Sequence, residues 1–412
     1  MKVIAVLLLL ICPAQPLLAQ APPLSLDTAI RLFLERNVEV AAARAQIGRA
    51  SAEQIAAKLR PNPVITVTAE NLKLSGPASS SLGIYRELTT TYAETIELGG
   101  KRQLRGSVAD AAVTVAEMNF ENSLRELLSE LKQSYFEAVL ARHNLDIAAE
   151  NRDTFEQLVR FNVVRFEEGA IAEGDLMKVR LERMKFDAAV RRAEMHLSQA
   201  MVQLLEKLEE PDFSARPLAG SLEVPLVSLD LRELIQAAIQ NRPDLKSADA
   251  EIELGRRRVT LENARARMDI SPFIGFKRVA SNNELVAGVS IPLKLRDRNE
   301  GGIARAAADE KIAQAHREVV ENRVRVDVET AYRAYESARD QVVMFRDQLL
   351  RQADESRAVT LAAYEEGASD LTPVLEAQRT RSEIRQEYFG TLFNYQASIL
   401  QLELAVGREI QP

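Results

Sequence analysis

The residues able to grip a transition metal are sparse in this sequence: His143, His196, His316 and a single cysteine, Cys12. A protein metal site draws several imidazole or thiolate ligands to one point, at short spacings or from neighbouring elements. None of these four stands at such a spacing, and the adjacent Met195 and His196 read as core and surface of one helix rather than as a ligand pair. No nucleophile elbow, phosphate-binding glycine loop or zinc-hydrolase helix appears. An enzyme, a resident cofactor and a tight metal site are therefore not expected. The carboxylates that stand out are Asp175 and Asp370, each a few residues beyond a glycine and at the head of an apolar-periodic run. There a carboxylate would cap a helix and stabilise it by about 0.5–2 kcal/mol.

What must position these groups is a pair of very long helices. Residues 303–366 contain neither Gly nor Pro and lead into Tyr364-Glu365-Glu366-Gly367-Ala368. Residues 107–168 are likewise free of both and lead into Phe166-Glu167-Glu168-Gly169-Ala170. At about 1.5 Å of rise per residue, an unbroken helix over 301–366 is roughly 100 Å long. Val324, Val328, Ala331, Tyr335, Ala338, Val342, Phe345 and Leu349 step alternately by four and three, an apolar seam that needs a partner helix. Gly169 and Gly367 are the expected reversal points, since a turn between antiparallel helices often calls for φ > 0.

The twin endings belong to a duplication of the whole chain. Ser25-Leu26-Asp27 and Ser228-Leu229-Asp230 each open a helix, ending near Asn37 and Asn241, and a second helix follows over 38–59 and 244–268. Next come two alternating, strand-like segments per copy. One hairpin spans 62–98 around a polar loop at 75–81, and the other spans 271–294 and turns at 281–283. In the last strand Leu285, Ala287, Val289, Ile291 and Leu293 share one face, Gly288 and Ser290 the other. Glycine-bearing junctions, Gly99-Gly100-Lys101-Arg102 and Gly301-Gly302, lead into long helices over 101–168 and 301–366. Return helices follow over 175–209 and 372–405. The expected organisation is a first repeat over 20–210, a proline-containing linker over 211–227, a second repeat over 228–407 and a short tail over 408–412.

Formal charge is −7, with basic and acidic residues interspersed, so nucleic acid is not an expected partner. Met1-Lys2, the apolar run to Ile11 and the small residues near Ala19 read as a cleaved secretory signal peptide over 1–19. Cys12 lies inside it, preceded by Ile11 rather than the small residue a lipoprotein signal needs. Beyond it no stretch carries about 20 consecutive apolar residues, so a membrane would have to be crossed by strands. Four strands cannot close a barrel, since the smallest bacterial ones have about eight, and each unsatisfied backbone group in lipid costs several kcal/mol. Strands in lipid would require several chains to share one barrel. Strands outside lipid would form a soluble cap on a coiled coil.

The order of elements, the Glu97-Leu98-Gly99-Gly100-Lys101-Arg102 run and the turns Phe166-x-x-Gly169 and Tyr364-x-x-Gly367 resemble the TolC-like outer membrane efflux factors. The Glu-Leu-Gly-Gly-Lys-Arg run resembles their heavy-metal branch, the cobalt–zinc–cadmium efflux outer membrane proteins. The resemblance implies a mainly α fold with a small β part. A homotrimer would enclose a long α-helical tunnel, and three copies lending four strands each would form one twelve-stranded barrel in outer membrane lipid. Its implied partners are a periplasmic adaptor (membrane fusion) protein and an inner membrane RND-type pump, and its cargo heavy-metal cations, with no bond chemistry. A drug or type I protein exporter would share this architecture. A periplasmic coiled-coil adaptor or structural protein is the reading from a different class.

The resemblance also implies roles for residues. Phe166, Gly169, Asp175, Tyr364, Gly367, Asp370 and Glu376 fall at the periplasmic tip, where they would narrow the entrance and touch the adaptor. Asp175 falls on the acidic position after the first turn. Tyr364 matches an aromatic that helps hold the entrance shut, and Glu376 falls where a carboxylate often faces the pore. Three-fold symmetry would turn one acidic side chain into a cation-favouring ring. Asp175 and Asp370 thus read as caps, as pore or adaptor residues, or as both, and Glu376 as a ring or a solvated position. Pro373 stands where many members carry an acidic residue and Ser369 where some carry Arg, so a closing network here would differ in its ion pairs. Gly99, Gly100, Lys101, Arg102, Gly301 and Gly302 would form the barrel-to-helix junction. Lys101 and Arg102 would lie at the lipid interface or the equatorial entrance, or be surface charge at a helix start.

Overall fold

The computed structural model describes residues 23–70, 87–210, 217–279 and 281–410. The expected signal peptide with Cys12, the loop at 75–81 and linker residues 211–216 lie outside these ranges. The first elements are β1 (Leu24–Ser25), α1 (Leu26–Arg36), α2 (Val38–Lys58), β2 (Val64–Glu70), β3 (Glu87–Ala93), α3 (Lys101–Glu167), α4 (Glu173–Lys207) and β4 (Leu218–Ala219). The order then recurs as α5 (Leu231–Asn241), α6 (Pro243–Arg265), β5 (Ser271–Val279), β6 (Asn282–Ser290), α7 (Glu300–Met344), a π-helical turn (Phe345–Leu349), α8 (Leu350–Glu365) and α9 (Leu371–Val406). Helix, helix, hairpin, long helix and return helix thus occur twice. Helix starts follow the side chains able to accept their free N–H groups. Ser25 Oγ accepts from Thr28 N at 3.2 Å, Asn37 Oδ1 from Val40 N at 3.0 Å, and Asp230 Oδ1 from Arg232 N at 2.8 Å.

Packing divides the chain differently from its repeat. Among the described residues, one compact unit comprises 23–35, 134–210 and 217–222, and the other comprises 36–70, 87–133, 223–279 and 281–410. In the first, the later part of α3 pairs with α4: Val139, Ile147 and Phe155 are buried, as are Leu176, Val179 and Val190, and Phe155 stacks on Phe186 with centroids 4.4 Å apart. The strands β1 and β4 form a short parallel pair that period-two reading did not reveal, being too brief to show a period. The Tyr135 hydroxyl, fully buried, lies 3.0 Å from the Leu24 carbonyl and 2.5 Å from the Ala219 carbonyl, fastening this pair to α3.

In the second unit β2, β3, β5 and β6 form one antiparallel sheet in that order. Ile65, Val67, Tyr92, Ile274, Phe276, Leu285 and Val289 are all exposed, and the register places them on one face. The last strand stops at Ser290, short of the expected Leu293, because Pro292 has no N–H to continue a ladder. Its helices pack α7 against α6 and α9, and α8 against α9. Val324, Val328, Ala331, Tyr335, Ala338 and Val342 are buried as the heptad spacing requires.

The long helix expected to run unbroken over 301–366 does not. Phe345 and Leu349 are only half-buried and sit in the π-helical turn, after which Ala353 and Tyr364 are buried again. Across this turn the seam steps 345, 349, 353, two fours in succession. A strict heptad alternates four with three, and the wider π turn absorbs the extra residue. The first copy has no such interruption: α3 is a single helix of 67 residues, about 100 Å long. Among the described residues no helix is long and apolar enough to cross a membrane.

Candidate functional site

The two glycine turns are built alike. At the end of α3, Ala170 N donates to Arg165 O at 2.7 Å and Gly169 N to Phe166 O at 3.0 Å, with Gly169 at φ 75°. At the end of α8, Ala368 N donates to Ala363 O at 2.8 Å and Gly367 N to Tyr364 O at 3.1 Å, with Gly367 again at φ 75°. This is the Schellman arrangement, in which a left-handed residue satisfies the last helical carbonyls. A Cβ at either glycine would meet nothing within 4 Å, so the requirement is for the backbone angle and not for space.

Around the first turn stand Phe166, Gly169 and Asp175; around the second stand Tyr364, Gly367, Asp370 and Glu376. The two aromatics, matched in sequence, differ in environment: Phe166 is 38% exposed and Tyr364 only 4%. Neither aspartate makes a side-chain cap hydrogen bond to its helix. The N-cap of α4 is Ala172, and Asp175 lies inside the first turn with Oδ1 3.0 Å from Lys178 Nζ. Asp370 occupies the N-cap of α9 but makes no side-chain hydrogen bond to its N–H groups. Asp370 thus holds the expected cap position without the cap hydrogen bond, and Asp175 lies three residues inside its helix start. Glu376 is exposed on α9. Pro373 lies in the first turn of α9, where no intrahelical donor is needed. Two links tie α8 to α9 behind the turn: Arg381 Nε to Asp354 Oδ1 at 2.5 Å, and Arg357 Nε to Gln378 Oε1 at 2.6 Å.

The junctions after the two hairpins are solved differently. Gly99 and Gly100 take φ of 76° and 73° in succession, which delivers Lys101 to the first position of α3. Lys101 is 6% exposed; its Nζ donates to Arg267 O at 2.7 Å and to Asp269 Oδ1 at 2.8 Å, and Leu98 N donates to the same oxygen at 2.9 Å. It is therefore neither surface charge nor a lining group but a clasp between the first junction and the chain leaving α6. Arg102 beside it is half-buried. Burial pushes the Asp269 carboxyl up, but the Lys101 ammonium and the Leu98 N–H outweigh it and hold the group below the ordinary carboxylate range. Glu97 of the same run receives a forked pair of hydrogen bonds from Arg105, which also reaches Leu59 O at 3.0 Å. In the second copy Gly301 and Gly302 are ordinary residues of the first turn of α7. The left-handed position is Asn299, φ 65°, whose Nδ2 donates to Glu262 O at 2.9 Å and to Glu262 Oε2 at 2.7 Å. Gly302 is needed for closeness, as a Cβ there would come within 2.3 Å of Asn299 Oδ1.

Sequence reasoning missed two further anchors. Arg242, 4% exposed at the α5–α6 break, is forked onto Asp244 at 3.0 and 2.6 Å and reaches Asp327 on α7 at 2.8 Å. Its sign was an arginine directly before a helix-initiating proline. Tyr335 lies 2.6 Å from Val227 O and 3.2 Å from the Tyr395 hydroxyl, holding the segment that precedes α5. It mirrors Tyr135 in the first copy, because Leu24 and Val227 each directly precede the repeated Ser-Leu-Asp. Among the described residues no group of three or more His, Cys, Asp or Glu is placed to hold a metal ion. His316 Nδ1 lies 3.4 Å from Glu251 Oε2.

Comparison with known proteins fits this architecture. The family model described as outer membrane efflux protein matches over residues 29–208 and 234–408. The chain is 25% identical over 392 residues to the cobalt-zinc-cadmium resistance protein CzcC of Cupriavidus metallidurans, covering 94% of this chain and 91% of that one. It is 27% identical over 301 residues to the nickel and cobalt resistance protein CnrC of the same organism, covering 72% and 69%. Among solved structures, one of CusC, described in connection with transmembrane channel formation, superposes with a TM-score of 0.75 at 19% identity over 93% of this chain and 92% of that one. The outer membrane protein VceC of Vibrio cholerae gives 0.73 at 16% identity over 94% and 97%.

Proposed function

The chain belongs to the outer membrane efflux protein family, and we propose that it is the outer membrane channel of a tripartite pump exporting heavy-metal cations. The observation that carries this reading is the sheet. It has four antiparallel strands with one apolar and one polar face, and its edge strands β2 and β6 pair with no further strand among the described residues. Such edges are costly in lipid and four strands are too few to close, so closure calls for other copies. Three copies give a twelve-stranded barrel, with β6 of each chain meeting β2 of the next. The long helices then hang as the wall of a periplasmic tunnel.

In this reading each glycine turn is a periplasmic tip that meets the adaptor. Asp175, Asp370 and Glu376 supply carboxylates to the entrance, and Tyr364 stiffens it from within. The inner membrane partner is an RND-type pump. No residue performs bond chemistry, and cations pass without a tight site. The cargo class rests on the relatives named for resistance to cobalt, zinc, cadmium and nickel.

The experiment is a deletion strain complemented with the full-length gene and challenged with zinc, cobalt, cadmium and nickel salts beside a panel of drugs. Loss of tolerance to one or more metals, restored by the gene, is the expected result. Unchanged metal tolerance with lost drug tolerance would overturn the metal assignment and leave a drug exporter's channel.

A further inference from the structure

The polar face of the sheet carries a charge arrangement that the transport reading does not use. Its lower rows are uncharged, with Thr66 opposite Thr91 and Thr68 opposite Thr89. Toward the ends of the strands remote from the helices, the register sets Glu70 opposite Glu87, Lys277 opposite Thr89, and Glu284 opposite Lys277. Lys277 Nζ lies 2.6 Å from Glu87 Oε2 and 3.9 Å from Glu70 Oε2, so these side chains share one face and one lysine. The other charged residue of the four strands, Arg278, is the next residue along β5 and falls on the apolar face. Among the described residues, three carboxylates thus share this end of the face with a single ammonium group.

We infer that Lys277 is a specificity-determining residue at the outer mouth, where it sets how strongly the channel prefers cations over anions. This rests on the channel reading, in which the polar face lines a water-filled lumen and the helix-free end opens outside. Rings of charged side chains set selectivity in such pores. With Lys277 in place the cluster carries two net negative charges per chain, and without it three. An elementary charge about 10 Å from an ion in water changes that ion's partition by about twofold. The lysine therefore moderates cation preference, and its two carboxylate contacts keep it from swinging into the lumen as a free anion attractor.

The test is single-channel recording of the full-length protein in planar bilayers under a potassium chloride gradient. Lys277→Gln should raise the potassium-over-chloride permeability ratio by about twofold or more at about 0.01 M salt, where the Debye length is about 30 Å. The effect should fade at about 1 M, where it is about 3 Å. Lys277→Arg should leave the ratio unchanged, and Glu284→Gln should lower it. An unchanged ratio in conducting Lys277→Gln and Glu284→Gln channels overturns the inference while the channel reading stands. Should Lys277→Gln fail to assemble, Glu284→Gln decides alone by the same criterion. A parent protein that forms no conducting channel overturns the channel reading and takes this inference with it.

Discussion

Replacing Lys101 by Met keeps the aliphatic stem and removes the ammonium, and it separates a clasp from a lining charge. The ammonium makes two contacts, 2.7 Å to the Arg267 carbonyl and 2.8 Å to Asp269. Hydrogen bonds involving a charged group are worth about 1.5–3 kcal/mol each, and removing one partner of a buried ion pair costs about 3–5 kcal/mol. Asp269 keeps the Leu98 N–H, and its side chain is 29% exposed, so water recovers part of the loss. A net destabilisation of about 2–4 kcal/mol follows, local to the junction. Hydrogen exchange followed by mass spectrometry over the peptide containing Leu98 reads it directly. Each 1.4 kcal/mol is a factor of ten, so protection should fall by about 30-fold or more. In a double-mutant cycle with Asp269→Asn the losses should be strongly non-additive. Unchanged protection together with an altered conductance would refute the clasp and return Lys101 to the channel lining.

Three further outcomes follow from the same geometry. Gly367→Ala should destabilise the α8–α9 turn by about 1–2 kcal/mol, from the left-handed angle alone, since the added methyl meets no neighbour; Gly367→Asn, better tolerated at positive φ, should lose less in the same thermal melt. Tyr335→Phe should cost about 1 kcal/mol in denaturant unfolding, because the half-buried Val227 carbonyl loses a donor. The Asp269 carboxyl is depressed in the folded state, so its contribution is complete above the ordinary carboxylate pKa near 4 and is lost as pH falls through the folded value. The gap in melting temperature between parent and Asp269→Asn should therefore be full at pH 6 and shrink below about pH 4; a gap unchanged at pH 3 would refute the assignment.

The long helices, the hairpins and the reversal points were legible because each leaves a periodic or conformational mark in one stretch of chain. The heptad seam from Val324 to Val342 and the left-handed glycines at 169 and 367 are of this kind. The π turn at Phe345–Leu349 was not. Its signature is two fours in succession, and a reading that ends at Leu349 sees only the first. The roles of Lys101 and Arg242 were hidden for another reason. Asp269, the partner of Lys101, and Asp327, the second partner of Arg242, lie far along the chain, and the arginine before Pro243 marks the helix break without revealing that distant contact. Asp175 misled because cap propensity identifies a residue type near a helix start without fixing its position to one residue, whereas Asp370 stands at the cap and lacks only the side-chain hydrogen bond.

The two copies also show which local demands bind sequence tightly. At the glycine turns the demand is one backbone angle, and few residues other than Gly adopt it cheaply, so Phe166-Glu167-Glu168-Gly169-Ala170 and Tyr364-Glu365-Glu366-Gly367-Ala368 remain nearly superimposable. At the junctions the demand is to start a new helix soon after a strand and to tie that start to the α6 end of the second copy. That is met by two left-handed glycines with a buried lysine in one copy. In the other it is met by a left-handed asparagine whose amide reaches Glu262, with Gly302 giving it room. Asn tolerates the left-handed region because its short side chain can hydrogen-bond locally. Exchanging the solutions tests this: Asn299→Gly keeps the backbone angle but loses both contacts to Glu262. It should loosen the start of α7 by about 1–2 kcal/mol, read as faster exchange of the first α7 amides. Exchange equal to the parent's would show that the angle alone sufficed and that the Glu262 contacts are incidental.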